Sequence, residues 1–185
     1  MKIGFVGPAK AGKTTTAHQL YCQLKDDGYN VGLLPETARE TLQRMKVSLY
    51  EIRDDPQLFE QFQRAIMMRQ LELEDRMAKQ HDIVICDRTV YDVMLYVVFY
   101  GHLDFVLEFI ETYSWDLKKP RYDWLFVFQP VDRQDEDPMR HEEDIHWSGT
   151  HERMLIRWLH NHRWVYVPMM SVAERVSYIR RVIQL

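Results

Sequence analysis

The sequence predicts an α/β fold: a five-stranded parallel sheet with helices on both faces. Three observations carry the prediction. Short apolar runs alternate with longer stretches of helical spacing along the chain. The runs are β-branched or aromatic with little polar alternation, as in strands covered on both faces. The polar motifs fall just past the ends of these runs, where open parallel sheets bind ligands.

Lys2 to Val6 reads as a short buried strand, followed by a loop of glycine and small residues from Gly7 to Thr14. Thr15 to Lys25 has helical spacing at Ala17, Leu20, Tyr21 and Leu24, and Asp26, Asp27 and Gly28 stop it. Val31 to Leu34 is a second strand, and Thr37 to Met45 a short helix. Asp55-Pro56 is an N-cap with proline at the first helical position. The pattern Leu58, Phe59, Phe62, Ile66, Met67, Leu71 carries that helix to about Gln80. Ile83 to Cys86 is a third strand. Val90 to Tyr100 and Leu103 to Tyr113 are helices separated by Gly101. Trp124 to Phe128 is a fourth strand, Trp164 to Val167 a fifth, and Val172 to Ile183 a closing helix. Between the last two strands lie a polar, charged and irregular stretch over about 130–149 and helical spacing from Thr150 to His162.

The 185-residue chain has the length of a single domain with a sizeable core. Its 46% hydrophobic and 28% charged residues exclude collagen, coiled coil and wholesale disorder. Lys and Arg number 24 against 28 Asp and Glu, so the net charge of −4 counts against binding mainly through nucleic-acid phosphates. Two cysteines, Cys22 and Cys86, sit in apolar stretches, which predicts two buried thiols in a reducing compartment. With no apolar run of membrane-spanning length and no signal-peptide pattern, the expectation is a cytoplasmic protein that does not engage a membrane.

Gly7-Pro8-Ala9-Lys10-Ala11-Gly12-Lys13-Thr14 matches G-x-x-x-x-G-K-[ST] without a mismatch, between a strand and a helix. Glycines let the backbone N–H groups of Gly7, Ala9, Lys10, Ala11, Gly12, Lys13, Thr14 and Thr15 turn onto phosphate oxygens. The helix N-terminus adds a favourable dipole. Lys13 would reach the β- and γ-phosphates of a nucleoside triphosphate, expected to be ATP with GTP left open, and the Thr14 hydroxyl would bind Mg²⁺. Asp87 follows four apolar residues and would hold Mg²⁺ directly or through water. Arg88 beside it suits an anionic group. Glu36 stands just past the second strand. As a carboxylate it can activate a hydroxyl that attacks phosphorus, or simply cap the helix that starts near Thr37. Arg39, one turn on, would orient Glu36, bind substrate or be solvated.

The phosphate loop, the stretch Pro35-Glu36-Thr37-Ala38-Arg39-Glu40 and Asp87-Arg88-Thr89 together resemble P-loop kinases of the nucleoside and nucleotide kinase superfamily. The likeness is strongest to small AAA-type ATPase/kinase domains similar to the ribosylnicotinamide kinase domain of NadR. It covers nearly the whole chain and implies a P-loop NTPase sheet with a lid, which falls on the charged stretch over about 130–149. In the similar deoxynucleoside kinases a glutamate after the second strand is the base, and Glu36 has that place. Such kinases carry lid arginines after the fourth strand. Arg133 and Arg140 are the candidates, against the alternative of an ordinary charged loop. Residues Phe59, Phe62 and Gln63 of one helix, and Tyr91, Asp92 and Tyr96 of another, are candidates for the acceptor pocket, with core packing the alternative for each aromatic. His141, His146 and His151 do not have the spacing of a helical zinc pair and read as surface residues.

The expected activity is ATP-dependent phosphoryl transfer to a hydroxyl of a nucleoside-like small molecule. Three alternatives stay open. The acceptor is a hydroxymethylated base within DNA, flipped out of the stack. Or it is a nucleoside monophosphate, clamped by Arg39, Arg69 and Arg88. Or the domain is a nucleotide-switch ATPase that partners another protein. The oligomeric state is open, a homodimer included.

Overall fold

The computed structural model describes residues 1–8, 10–112, 120–129 and 162–185. The expected lid, with Arg133 and Arg140, lies outside the described residues, as do Ala9, the three spaced histidines and all but His162 of the helix expected from Thr150 to His162. The strands are β1 (Lys2–Val6), β2 (Val31–Leu34), β3 (Ile83–Asp87), β4 (Trp124–Phe128) and β5 (Trp164–Val167). The helices are α1 (Lys13–Asp26), α2 (Thr37–Met45), α3 (Leu49–Asp54), α4 (Pro56–Gln80), α5 (Val90–Phe99), α6 (Leu103–Thr112) and α7 (Val172–Ile183).

All strand pairs are parallel, in the order β2-β3-β1-β4-β5. Period-2 alternation divides the strand side chains between two apolar layers. Ile3, Phe5, Ile83, Ile85, Phe126 and Phe128 pack with α1 and α7. Val6, Val84, Cys86, Leu125 and Val127 pack with α4, α5 and α6. Both sheet faces are therefore covered, which is why the strands carry so few polar residues.

The helix boundaries follow from local chemistry. The Asp55 carboxylate accepts from the N–H groups of Gln57 at 2.9 Å and Leu58 at 3.1 Å, and Pro56 has no N–H to satisfy. The α5 and α7 starts carry capping boxes, Thr89 with Asp92 and Ser171 with Glu174. The sequence reading passed over α3, although Ser48 and Glu51 form a capping box at its start. It also placed Cys22 inside, whereas the thiol is exposed. The buried stripe of α1 runs through Ala17, Leu20 and Leu24, and a residue two past Leu20 points to the other side of a helix. No helix among the described residues is long and apolar enough to cross a membrane.

Candidate active site

At the carboxyl end of the central strand β1, Gly7 and Gly12 take φ angles of +132° and +81°. A Cβ at Gly7 would lie 2.7 Å from the Phe128 carbonyl oxygen, and one at Gly12 would lie 2.5 Å from Arg175 Nη1. Both positions need glycine for conformation and for space. Arg175, 6% exposed on α7, donates from Nη1 to the Ala11 carbonyl at 2.8 Å and lies over the Phe128 ring. The far helix thus braces the loop from behind. Gly12 is the N-cap of α1 and supplies no side-chain cap, so the helix opens with its N–H groups toward the loop.

Lys13 is buried, and its Nζ donates to the carbonyls of Gly7 at 2.9 Å and Pro8 at 2.6 Å. Burial first, and the Arg88 guanidinium second, push its ammonium down from 10.5 to about 7, against the carboxylates of Asp92, Asp87 and Glu36. A bound polyphosphate would reverse that balance.

Asp87 closes β3 at 2% exposure, and its Oδ1 has no hydrogen-bond partner. Thr14 is exposed at the first turn of α1. One orphaned buried carboxylate oxygen and one open hydroxyl fit a hard cation that takes its remaining oxygens from phosphate and water, which is the way Mg²⁺ is held at such sites. No group of three or more His, Cys, Asp or Glu among the described residues is placed to hold a metal ion.

Arg88 has φ +90°, a conformation that L-residues rarely adopt. Its Nε donates to Glu36 Oε1 at 2.6 Å, and its Nη1 lies 3.9 Å from Asp92 Oδ1. Burial opposes the Arg88 charge, but Glu36, Tyr96 and the aspartates hold its pKa above the ordinary value. Glu36 occupies the N-cap position of α2 yet makes no side-chain cap bond. Its carboxylate turns to Arg88 and, at 3.7 Å, to Arg39. The helix-cap alternative for Glu36 is thereby answered.

Asp92 is 1% exposed and links the two halves of the site. Oδ1 accepts from the Gly7 N–H at 3.1 Å, and Oδ2 from the Thr89 N–H at 3.0 Å and the Thr89 hydroxyl at 2.9 Å. Burial raises its pKa, with Arg88 and Lys13 opposing.

Beside these groups lies a cavity of about 540 Å³ between α2, α3, α4 and α5. Glu36, Arg39, Phe59, Phe62, Gln63, Arg88, Asp92 and Tyr96 all line it. The α4 residues Phe59, Phe62, Gln63, Ile66 and Gln70 form one wall at three- and four-residue spacing. Leu49, Tyr50 and Ile52 of the unforeseen α3 help close the far end.

Tyr91 does not reach this cavity. It is 2% exposed, its hydroxyl meets His162 Nε2 at 2.7 Å, and its ring packs on Tyr122. Five residues separate it from Tyr96, so the two point away from each other on α5. Arg69 is also elsewhere, bridging Glu40 and Glu72 at 3.1 Å each. A phosphate clamp made of Arg39, Arg69 and Arg88 is therefore not assembled. Sequence reasoning missed Gln70 and Glu74. The signal was present: two amides and a carboxylate, at 63, 70 and 74, interrupt the apolar stripe of α4.

A family model described as AAA domain matches residues 2–175. The chain is similar to thymidylate kinase from Ehrlichia chaffeensis, with 20% identity, a TM-score of 0.64 and coverage of 100% of this chain and 98% of that one. It is similar to deoxyadenosine kinase from M. mycoides with bound dCTP at 16% identity and TM-score 0.64, covering 100% and 99%. It is also similar to the NadR protein in complex with NR at 16% identity and TM-score 0.72, where all of this chain spans 52% of that one. These likenesses are likenesses of fold, that of nucleoside and nucleotide kinases. No curated protein matches the chain.

Proposed function

The chain belongs to the AAA-domain family, and from that premise we propose that it transfers the γ-phosphoryl group of ATP to a hydroxyl of a nucleoside-like small molecule. The observation that supports this reading is the Glu36 carboxylate. It lines the apolar cavity, makes no cap bond to its own helix, and is paired at 2.6 Å with the arginine that directly follows Asp87. A hydroxyl acceptor needs a base at this place, whereas a phosphate acceptor needs cations.

In the mechanism, backbone N–H groups of the phosphate loop and the start of α1 bind the ATP phosphates. Lys13 leaves its two loop carbonyls for the β- and γ-phosphates, whose charge favours its ammonium form. Thr14 and Asp87 would hold Mg²⁺, which supplies charge neutralisation on the phosphates. The acceptor lies in the cavity with its ring among Phe59, Phe62 and Ile66. Glu36 accepts the hydroxyl proton as the new oxygen–phosphorus bond forms and the bond to the β-phosphate oxygen breaks, with ADP leaving. Arg88 orients the Glu36 carboxylate through its Nε and stands next to Asp87.

The test is transfer from γ-labelled ATP with Mg²⁺ to a panel of nucleosides, ribosylnicotinamide, nucleoside monophosphates and hydroxymethylated DNA. Label is expected on a nucleoside-like molecule. Glu36→Gln should lower that transfer by about 10²–10⁴-fold and leave ATP affinity intact. Label confined to monophosphates or to DNA, phosphate release with no labelled acceptor, or full transfer by Glu36→Gln would overturn the reading.

A further inference from the structure

The buried stripe of α4, from the cavity wall at Gln70 to Glu74 one turn behind it, carries a polar pair that the transfer chemistry above does not use. Gln70 is 1% exposed and Glu74 is fully buried. Each polar atom of the Gln70 amide has a partner. Oε1 accepts from Thr37 Oγ1 at 3.1 Å, and Nε2 donates to Glu74 Oε1 at 2.9 Å and to the Arg88 carbonyl at 3.2 Å. These partners fix which end of the amide is which, because reversing it would set its oxygen against a carboxylate and a carbonyl. Glu74 also accepts from Lys2 Nζ at 2.8 Å, Arg121 Nε at 2.8 Å and the Tyr122 hydroxyl. The same Tyr122 hydroxyl accepts from the Val90 N–H at 3.1 Å.

The geometry of this network is specific to the site. Gln70 holds the carbonyl of Arg88 and Tyr122 holds the amide of Val90, so the two bracket the turn in which Arg88 sits at φ +90°. A strained backbone of that kind persists only where its surroundings over-determine it. The other end of the Gln70 amide holds Thr37, the residue next to Glu36. One side chain therefore ties the segment that carries the carboxylate to the segment that carries its arginine.

We propose that Gln70, anchored on Glu74, is a positioning residue for phosphoryl transfer, holding Glu36 and Arg88 in the register in which their ion pair forms. The inference rests on the transfer reading given above. Gln70 acts through Glu36 and Arg88, and its own carboxamide takes no part in the proton movement.

The test is a double-mutant cycle of Gln70→Met with Glu36→Gln, read as kcat and KM for labelled transfer. Rates are taken per ATP-binding site titrated in the same sample, so a loss of folded protein drops out. Gln70→Asn, which keeps an amide but withdraws it by one methylene, serves where the methionine variant does not fold. A misplacement on the order of 1 Å costs about 10² in rate. The expected result is a ten- to hundredfold fall in kcat in the wild-type background, with KM for ATP unchanged. In the Glu36→Gln background the same substitution should cost less than threefold. An equal loss in both backgrounds, or a change in KM alone, would overturn the positioning role and leave the transfer reading standing. Wild-type transfer by the single variant Glu36→Gln would remove the base assignment and this inference with it.

Discussion

Replacing Lys13 by methionine should stabilise the nucleotide-free protein, by an amount that shrinks as pH rises. In the folded chain burial pushes this ammonium from 10.5 down to about 7. The unfolded chain holds the proton up to 10.5, so folding below that pH either strips the proton or buries the charge. The penalty is full below about pH 7 and declines toward zero as pH climbs to 10.5. A displacement of this size is worth roughly 5 kcal/mol at its limit, and it fades by about 1.4 kcal/mol per pH unit. Methionine also forfeits the bonds to the Gly7 and Pro8 carbonyls, which returns about 2 kcal/mol. The net gain is therefore about 3 kcal/mol at pH 6, and it is gone by about pH 9. Urea unfolding of both proteins without nucleotide, at pH 6, 7.5 and 9, measures it directly. The hydrogen-bond loss is nearly independent of pH, so the slope isolates the ionisation. A difference in stability that stays flat over this range would refute the reasoning.

Other outcomes follow from the same geometry. Gly12→Ala places a Cβ at φ +81° and 2.5 Å from Arg175 Nη1. It should cost about 2–3 kcal/mol in thermal unfolding and abolish ATP binding in a titration, because the Arg175 brace on Ala11 must move. Tyr91→Phe removes the hydroxyl that meets His162. It should cost about 1 kcal/mol of stability and leave the KM for the acceptor at the wild-type value, since the ring lies in the core. A raised acceptor KM in that variant would return Tyr91 to the cavity wall.

The strands and the phosphate loop were legible in the sequence because each depends on local pattern. Apolar runs, two glycines at fixed spacing and a carboxylate at a strand end say the same thing in any context. Glu36 was legible as a position but ambiguous in role, since an acid at a helix N-cap has a local use. What favours its use as a base is long-range: the carboxylate makes no cap bond and pairs with Arg88, a contact between the β2 and β3 ends. Tyr91 takes the core-packing alternative, and the sequence leaves the choice open because α5 is apolar almost all round, so no stripe marks which side faces the cavity. The turn angle would still have separated Tyr91 from Asp92 and Tyr96, which lie four apart on one face. Gln70 and Glu74 escaped because their partners come from β1, α2, the Arg88 turn and the segment before β4, a convergence that no single stretch of sequence displays.

The strand order has a consequence for the route to the native state. The strand that leads into the phosphate loop is the central one, and its neighbours come from far along the chain: Lys2 pairs with Val84, and Ile3 with Trp124. Two large loops must close before both edges of the central strand are paired, and the larger one sets the Phe128 carbonyl beside Gly7. Closure entropy on that scale is spent before any contact of the central strand repays it, which slows folding relative to locally wired topologies. The apolar segment Ile3 to Val6 accordingly keeps at least one edge unpaired until β3 and β4 have both arrived, and that edge is open to misassociation while the sheet assembles.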